Sequence, residues 1–240
     1  SRGLGDVYKR QVYKNTDMEY YNTALESFEA QLEELSKAEK FIFMEYHAIE
    51  DAISFERLKK VLIDKAKNGV EVRIFYDDLG SIFFLNKEFI KRMRDEGIQC
   101  RVFNPLKVIV NMFMNNRDHR KITVIDGKVG FTGGYNLADE YFNITHPYGY
   151  WKDTGVKLTG DAVKSLTASF LTMWNAIDHT DSQEAYDEYI DATDGTYNAA
   201  SQECYVQPYS DNPLGHDRIG EDVYLSLIHI SEPTRPRLIS

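Results

Sequence analysis

The chain has 240 residues, 42% of them hydrophobic and 13% aromatic, enough apolar content for a buried core and enough length for one large domain or two small ones. Its formal net charge of −10 argues against a nucleic-acid partner, because phosphate backbones select basic surfaces, although a small basic pocket is still compatible with it. No stretch approaches the run of about 20 apolar residues that spans a bilayer. Cys100 and Cys204 form no ligand spacing, so two buried thiols are expected rather than a disulfide framework or a zinc site.

In chain order, SRGLGDVYKRQ (1–11) does not continue the pattern beside it, and neither does LSLIHISEPTRPRLIS (225–240) at the other end. Both read as non-native flanks, translated adapter sequence around an environmental gene fragment, and the natural protein is expected to continue beyond Tyr224. From 22 to 37, Leu25, Phe28, Leu32 and Leu35 recur at helical spacing with acids between them, predicting an amphipathic helix packed on a sheet. Residues 40–49 are β-rich and apolar, 55–69 read as a helix stopped by Gly69, and 70–78 alternate as a strand, which makes a β-α-β unit. The rhythm repeats with a helix over 86–97 ended by Gly97 and a strand over 98–103, so parallel pairing through right-handed crossovers is expected.

Residues 105–116, PLKVIVNMFMNN, combine aliphatic, Met and Phe side chains, which suit either a core element or an adaptable rim that receives lipid chains. Residues 121–126 and 128–133 face each other across Asp126-Gly127, a hairpin-turn signal. TGVKLTG and DAVKSLTASFLTMWNAI add one strand and one helix. The fold class is α/β, a mixed central sheet flanked by helices. Residues 178–194 hold seven acids and no Lys or Arg, predicting a solvated linker over 178–201. Strand character resumes at 202–209. The expected organisation is a first domain over 12–202 and the start of a second over 203–224.

Of six histidines, only His119 is followed by Lys two residues later and Asp seven residues later, giving His119-x-Lys121-x4-Asp126, and the pattern continues to Gly133-Gly134-x-Asn136. On a strand, residues two apart share a face, so an imidazole and an ammonium can converge on one phosphate. Lys121 would neutralise a non-bridging oxygen. The imidazole would attack phosphorus when neutral, or serve the leaving oxygen when protonated. Glycines at 133 and 134 permit close backbone approach, and the Asn136 amide can donate to another phosphate oxygen. Such chemistry requires no metal or other cofactor.

The segment HRKITVIDGKVGFTGGYN resembles the signature of the phospholipase D superfamily, whose members use two such motifs to form and resolve a phosphohistidine. GVEVRIFYDDLGS (69–81), GYWKDTGVKLTG (149–160) and VQPYSDNPLG…GEDVY (206–224) are similar to bacterial cardiolipin synthases. The resemblance implies a phospholipase-D-like half that transfers a phosphatidyl group between two phosphatidylglycerol molecules at a membrane surface, yielding cardiolipin and glycerol. It makes His119 nucleophile or general acid, gives phosphate to Lys121, Gly134 and Asn136, leaves Asp126 a mainly structural role, and assigns Asp153 to orient the imidazole. Two departures stand out: the family's N-terminal membrane segments and its second His-x-Lys motif are not found in these residues. A second half or a second copy of the chain is therefore an implied partner. A phosphodiester hydrolase, or a silent phosphate-binding half-domain, are the competing readings.

Overall fold

The computed structural model describes residues 8, 11–86, 88–105, 117–177, 185–190, 197–200, 205–211 and 219–231. Seven strands form one sheet: β1 Thr16–Tyr21, β2 Phe41–Tyr46, β3 Glu71–Asp77, β4 Gln99–Phe103, β5 Ile122–Ile125, β6 Val129–Gly133 and β7 Gly155–Gly160, in the spatial order β1-β7-β6-β5-β2-β3-β4. β2, β3 and β4 run parallel, whereas β5, β6, β7 and β1 pair antiparallel in succession from β2. The sheet is thus mixed, with helices on both faces, as the α/β pattern predicts.

Helices α1 Ala24–Ser36, α2 Ile53–Lys67, the short α3 Asp78–Ser81 and α4 Phe89–Asp95 connect the first four strands, and α5 Val163–Ile177 follows β7. α1 begins where the Thr23 side chain accepts a hydrogen bond from the Glu26 amide, the usual cap on an orphan first-turn N–H. α2 and α4 end near Gly69 (φ +87°) and Gly97 (φ +85°), left-handed positions that favour glycine.

Strand alternation divides the core. Ile42, Met44 and Tyr46 of β2 pack with Phe28, Leu35, Phe55, Leu58 and Phe89 from α1, α2 and α4. Phe41 and Phe43 instead meet Phe170 and Trp174 of α5, with Phe43 and Phe170 stacked at 4.7 Å. β2 is buried on both faces, so its sequence reads as an unbroken apolar run. Cys100 is buried in the first core layer, and burial pushes its thiol up to about 12. Cys204 and residues 106–116 lie outside the described residues.

Two local expectations change. On α1, Leu25 is exposed while Ser27 and Gln31 are buried, because the Gln31 amide bonds the Tyr46 and Thr123 hydroxyls at 3.0 and 2.8 Å. Within the acidic stretch, Ala185–Ile190 forms helix α6, held by Tyr189, whose ring meets Phe41 and Phe43 and whose hydroxyl donates to Glu71 at 2.7 Å. Residues 205–211 reach back to the segment before β1 through paired Tyr13–Val206 backbone bonds of 2.8 Å. The final helix, α7 Ile219–Ser231, runs through Tyr224 and Leu225. Among the described residues, no helix is long and apolar enough to cross a membrane.

Candidate active site

The motif folds as one hairpin. Asp126 (φ +53°) and Gly127 (φ +67°) form its tip, two consecutive positive φ values that match the right-handed twist of the flanking strands. Ile122 pairs with Thr132 at the other end, so His119 and Lys121, just before β5, lie beside Gly133 and Gly134, at the end of β6. Antiparallel pairing of β5 with β2 sets Ile122 opposite Glu45, and pairing of β6 with β7 sets Gly133 opposite Gly155. The exits of β2, β3 and β6 and the entries of β5 and β7 therefore meet at one edge of the sheet.

Neither His119 nor Lys121 is in the strand, contrary to the sequence reading; β5 starts at Ile122. The segment before it is held by other bonds. Lys121 Nζ donates to the His119 carbonyl oxygen at 2.6 Å, and the Asp118 amide donates to Asp77 Oδ2 at 3.1 Å. Lys121 is nearly buried; burial lowers its pKa to about 8, opposed by the carboxylates of Asp118 and Asp153. The His119 imidazole is also held below its ordinary value, first by burial, then by the charges of Lys121 and His47, against Asp118 and Asp77. At neutral pH the arrangement is a neutral imidazole beside an ammonium, the pairing that nucleophilic attack on an anionic phosphodiester needs.

Asp126 is elsewhere. Its carboxylate accepts three backbone hydrogen bonds, from Glu39 at 2.8 Å, Lys40 at 2.7 Å and Phe41 at 2.8 Å. It lies five positions beyond Lys121, roughly 16 Å along a strand, so it pins the start of β2 and does not reach the edge that carries His119.

Gly134 and Asp153 do come together. A Cβ at Gly134 would lie 2.1 Å from Asp153 Oδ1, so the room that the missing side chain leaves is filled by this carboxylate. Asp153 also accepts from the Thr154 amide at 2.8 Å and the Trp151 indole at 3.5 Å, and its charge acts on Lys121. Among the described residues no hydrogen bond joins it to His119. The Asn136 side chain is buried, accepting from the Ala48 amide at 3.1 Å and donating to the Tyr141 hydroxyl at 2.9 Å. It locks the end of the hairpin to the exit of β2.

Sequence reasoning missed His47. Its ring centroid is 4.9 Å from that of His119, and its Nδ1 lies 2.8 Å from the Asp118 carbonyl oxygen. The available signal was its place immediately after a parallel strand, where open α/β sheets collect functional groups. Also unforeseen is a buried charged layer under the site. Arg120 Nε donates to Asp118 at 3.2 Å, and Arg120 Nη2 lies 2.7 Å from Glu45 Oε1. Burial pushes the Glu45 carboxyl up, whereas the nearby carboxylates hold Arg120 charged despite its burial.

A cavity of about 350 Å³ opens at this edge, lined by His119, Lys121 and Gly133 together with Val156, Leu158 and Pro208. Its lining is mainly apolar, with Ser169, Gln207 and Ser210 among the polar side chains outside the motif. Among the described residues no group of three or more His, Cys, Asp or Glu side chains is arranged to hold a metal ion.

The family model described as cardiolipin synthase, PLD-like domain, matches residues 32–174. The chain is 41% identical over 218 residues to an uncharacterized protein of Streptococcus mutans, covering 91% of this chain and 46% of that protein. It is 40% identical over 162 residues to a cardiolipin synthase of Oceanobacillus iheyensis, covering 68% and 34%. The chain thus spans less than half the length of these relatives. Among solved structures, NucT from Helicobacter pylori matches with a TM-score of 0.50 at 15% identity, over 67% of this chain and 96% of that one, a likeness of fold.

Proposed function

Because the chain belongs to the cardiolipin synthase family with its phospholipase-D-like domain, we propose that it supplies one half of a phosphatidyl-transfer site with His119 at its centre. The observation that carries the reading is the hairpin, which sets a neutral His119 against Lys121 in the lining of a mainly apolar cavity. A diacylglycerol phosphate has matching parts, an anionic phosphodiester and an apolar body.

In the first step a neutral imidazole nitrogen forms a bond to the phosphorus of phosphatidylglycerol, and the bond from phosphorus to the glycerol oxygen breaks. Glycerol leaves with a proton from a second imidazole. In the second step the terminal hydroxyl of another phosphatidylglycerol gives its proton to that second imidazole and attacks phosphorus, and the phosphorus–nitrogen bond breaks to release cardiolipin. His119 fills one of the two imidazole roles. Lys121 neutralises charge on the non-bridging oxygens throughout. Asp153, over Gly134 and electrostatically coupled to Lys121, steadies that ammonium and is within the same edge as the imidazole it would orient. The second imidazole comes from the second half of a longer polypeptide or from another copy of this chain, and the work is done at a membrane surface.

The test is to incubate the chain and its His119→Ala variant with phosphatidylglycerol in mixed micelles, identify lipid products by mass spectrometry, and measure the mass of the active species by size-exclusion chromatography with light scattering. Cardiolipin from the wild type alone, in a dimeric fraction, supports transfer by two copies. Phosphatidic acid instead would replace transfer by hydrolysis. No turnover by the chain, with activity restored on adding a polypeptide that carries the second motif, supports the half-site reading; no turnover in either case overturns it.

A further inference from the structure

His47 stands at the exit of β2, 71 residues before Asp118 in sequence, and no motif contains it. Its Nδ1 is 2.8 Å from the Asp118 carbonyl oxygen. A carbonyl only accepts, so Nδ1 carries the hydrogen and Nε2 of the neutral ring is bare. The ring's other edge rests on α3. A Cβ at Gly80 would fall 2.8 Å from both His47 Cδ2 and Nε2, and 2.3 Å from the His47 carbonyl oxygen. The imidazole is therefore clamped between the backbone of Asp118 and that of Gly80, with its face inclined at 52° to the His119 ring.

We propose that His47 is a positioning residue for His119, holding the backbone just before the reacting histidine by its Nδ1–H and fixing the plane of the reacting ring by contact. The geometry also rules it out as the second imidazole of the transfer. Nucleophile and acid must face each other across phosphorus, each at about 3–3.5 Å from its reacting atom, and rings with centroids 4.9 Å apart touch each other with no phosphoryl group between them.

A second consequence concerns protons. The groups that face His119 are Lys121 and Asp118 from its own segment, His47 from the end of β2 and Asp77 from the end of β3. Positive charge on His47 disfavours a proton on His119. Removing His47 takes away one of the two cationic influences and moves the His119 midpoint upward, by about half a pH unit for a charge at this separation in a largely aqueous dielectric.

The experiment is long-range 1H–15N NMR of the imidazole rings in the whole chain, titrated from pH 5 to 9, for the wild type, His47→Asn and His47→Phe, with His119→Ala to assign the His119 signals. Asn keeps a donor for the Asp118 carbonyl and loses the titrating ring; Phe keeps a ring and loses the donor. The expected results are a wild-type His47 signature with hydrogen on Nδ1, and an upward shift of the His119 midpoint by about half a unit in both variants. In the turnover assay above, which alone rests on the transfer reading, kcat should fall tenfold or more in His47→Phe with KM little changed, and recover at least threefold in His47→Asn. An unmoved His119 midpoint in folded His47→Asn overturns the proposal, and that variant decides the matter if His47→Phe does not fold. An inert wild type counts against the transfer reading, and the NMR titration still decides this one.

Discussion

Lys121 reaches back along its own chain to donate to the carbonyl oxygen of His119. The bond uses one of the three ammonium donors and ties the lysine side chain to the backbone that carries the imidazole. Because burial brings the lysine to about 8, its charge is present below that pH and is lost as pH rises through it. Binding of inorganic phosphate, followed by 31P NMR, should therefore weaken between pH 7 and 9. Lys121→Met should abolish this dependence and lower turnover by roughly 10²–10³-fold. Phosphate affinity that stays flat across that range in the wild type would remove Lys121 from the phosphate site.

Asp126 should matter for folding and not for chemistry. Asp126→Ala strands three backbone N–H groups at the start of β2 and puts a β-carbon residue without local hydrogen bonding at φ +53°. A loss of about 2–4 kcal/mol is expected in urea unfolding, with Asp126→Asn losing less. The His119 imidazole signals of the folded variant should coincide with those of the wild type. Displaced signals would mean that the hairpin tip communicates with the reacting edge.

The buried layer of Glu45, Asp118 and Arg120 predicts opposite effects of two similar changes. A carboxyl whose folded pKa is raised takes up a proton on folding, so its contribution to stability diminishes as pH rises from its ordinary value of 4.5 through the folded one. Glu45→Gln supplies a neutral side chain of the same shape and should remove that slope, leaving stability at pH 8 within about 1 kcal/mol of the wild type or above it. Asp118→Asn instead removes one of the two carboxylates beside the buried Arg120 and should cost about 3–5 kcal/mol. Urea melts at pH 5 and pH 8 distinguish the pair; equal losses for both would contradict an upward shift of the Glu45 carboxyl.

On the opposite face of β3 and β2 from α1, Trp174 is fully buried and stacks on Phe170 at 5.7 Å. Its indole also receives the Arg101 guanidinium at 3.9 Å. Trp174→Ala should cost about 3–5 kcal/mol, measured by thermal or chemical unfolding, without altering the titration of His119.

How much of this was legible depends on the range of the interaction. Periodicity located α1, α2 and β2 to β7 because those patterns are local, and Asp126-Gly127 announced its turn because few residue pairs accept two positive φ values. Periodicity failed at Leu25 and Gln31, where the buried face is decided by a polar amide between two hydroxyls on other strands, a partner that no helical wheel contains. The site divides in the same way. His119, Lys121 and the glycines belong to one hairpin and share one motif, whereas His47, Asp77 and Glu45 enter through the pairing of β2 with β3 and β5. Asp153 was found by resemblance, but its contact with Gly134 depends on the β6–β7 register, which one sequence does not display. The motif alone does not display the Asp153 carboxylate that a Cβ at Gly134 would meet.

The four residues of β5 act as a ruler. Ile122 and Val124 point to the α5 layer and Thr123 to the Gln31 hydroxyl cluster, so one inserted residue would exchange the two faces and bury the threonine among phenylalanines. Two inserted residues would restore the faces but carry His119 away from Gly133, unless β6 lengthened to match. The spacing between Lys121 and Asp126 can therefore drift only in coordinated pairs across both arms of the hairpin, and a library of loop insertions should tolerate additions everywhere around this edge before it tolerates one there.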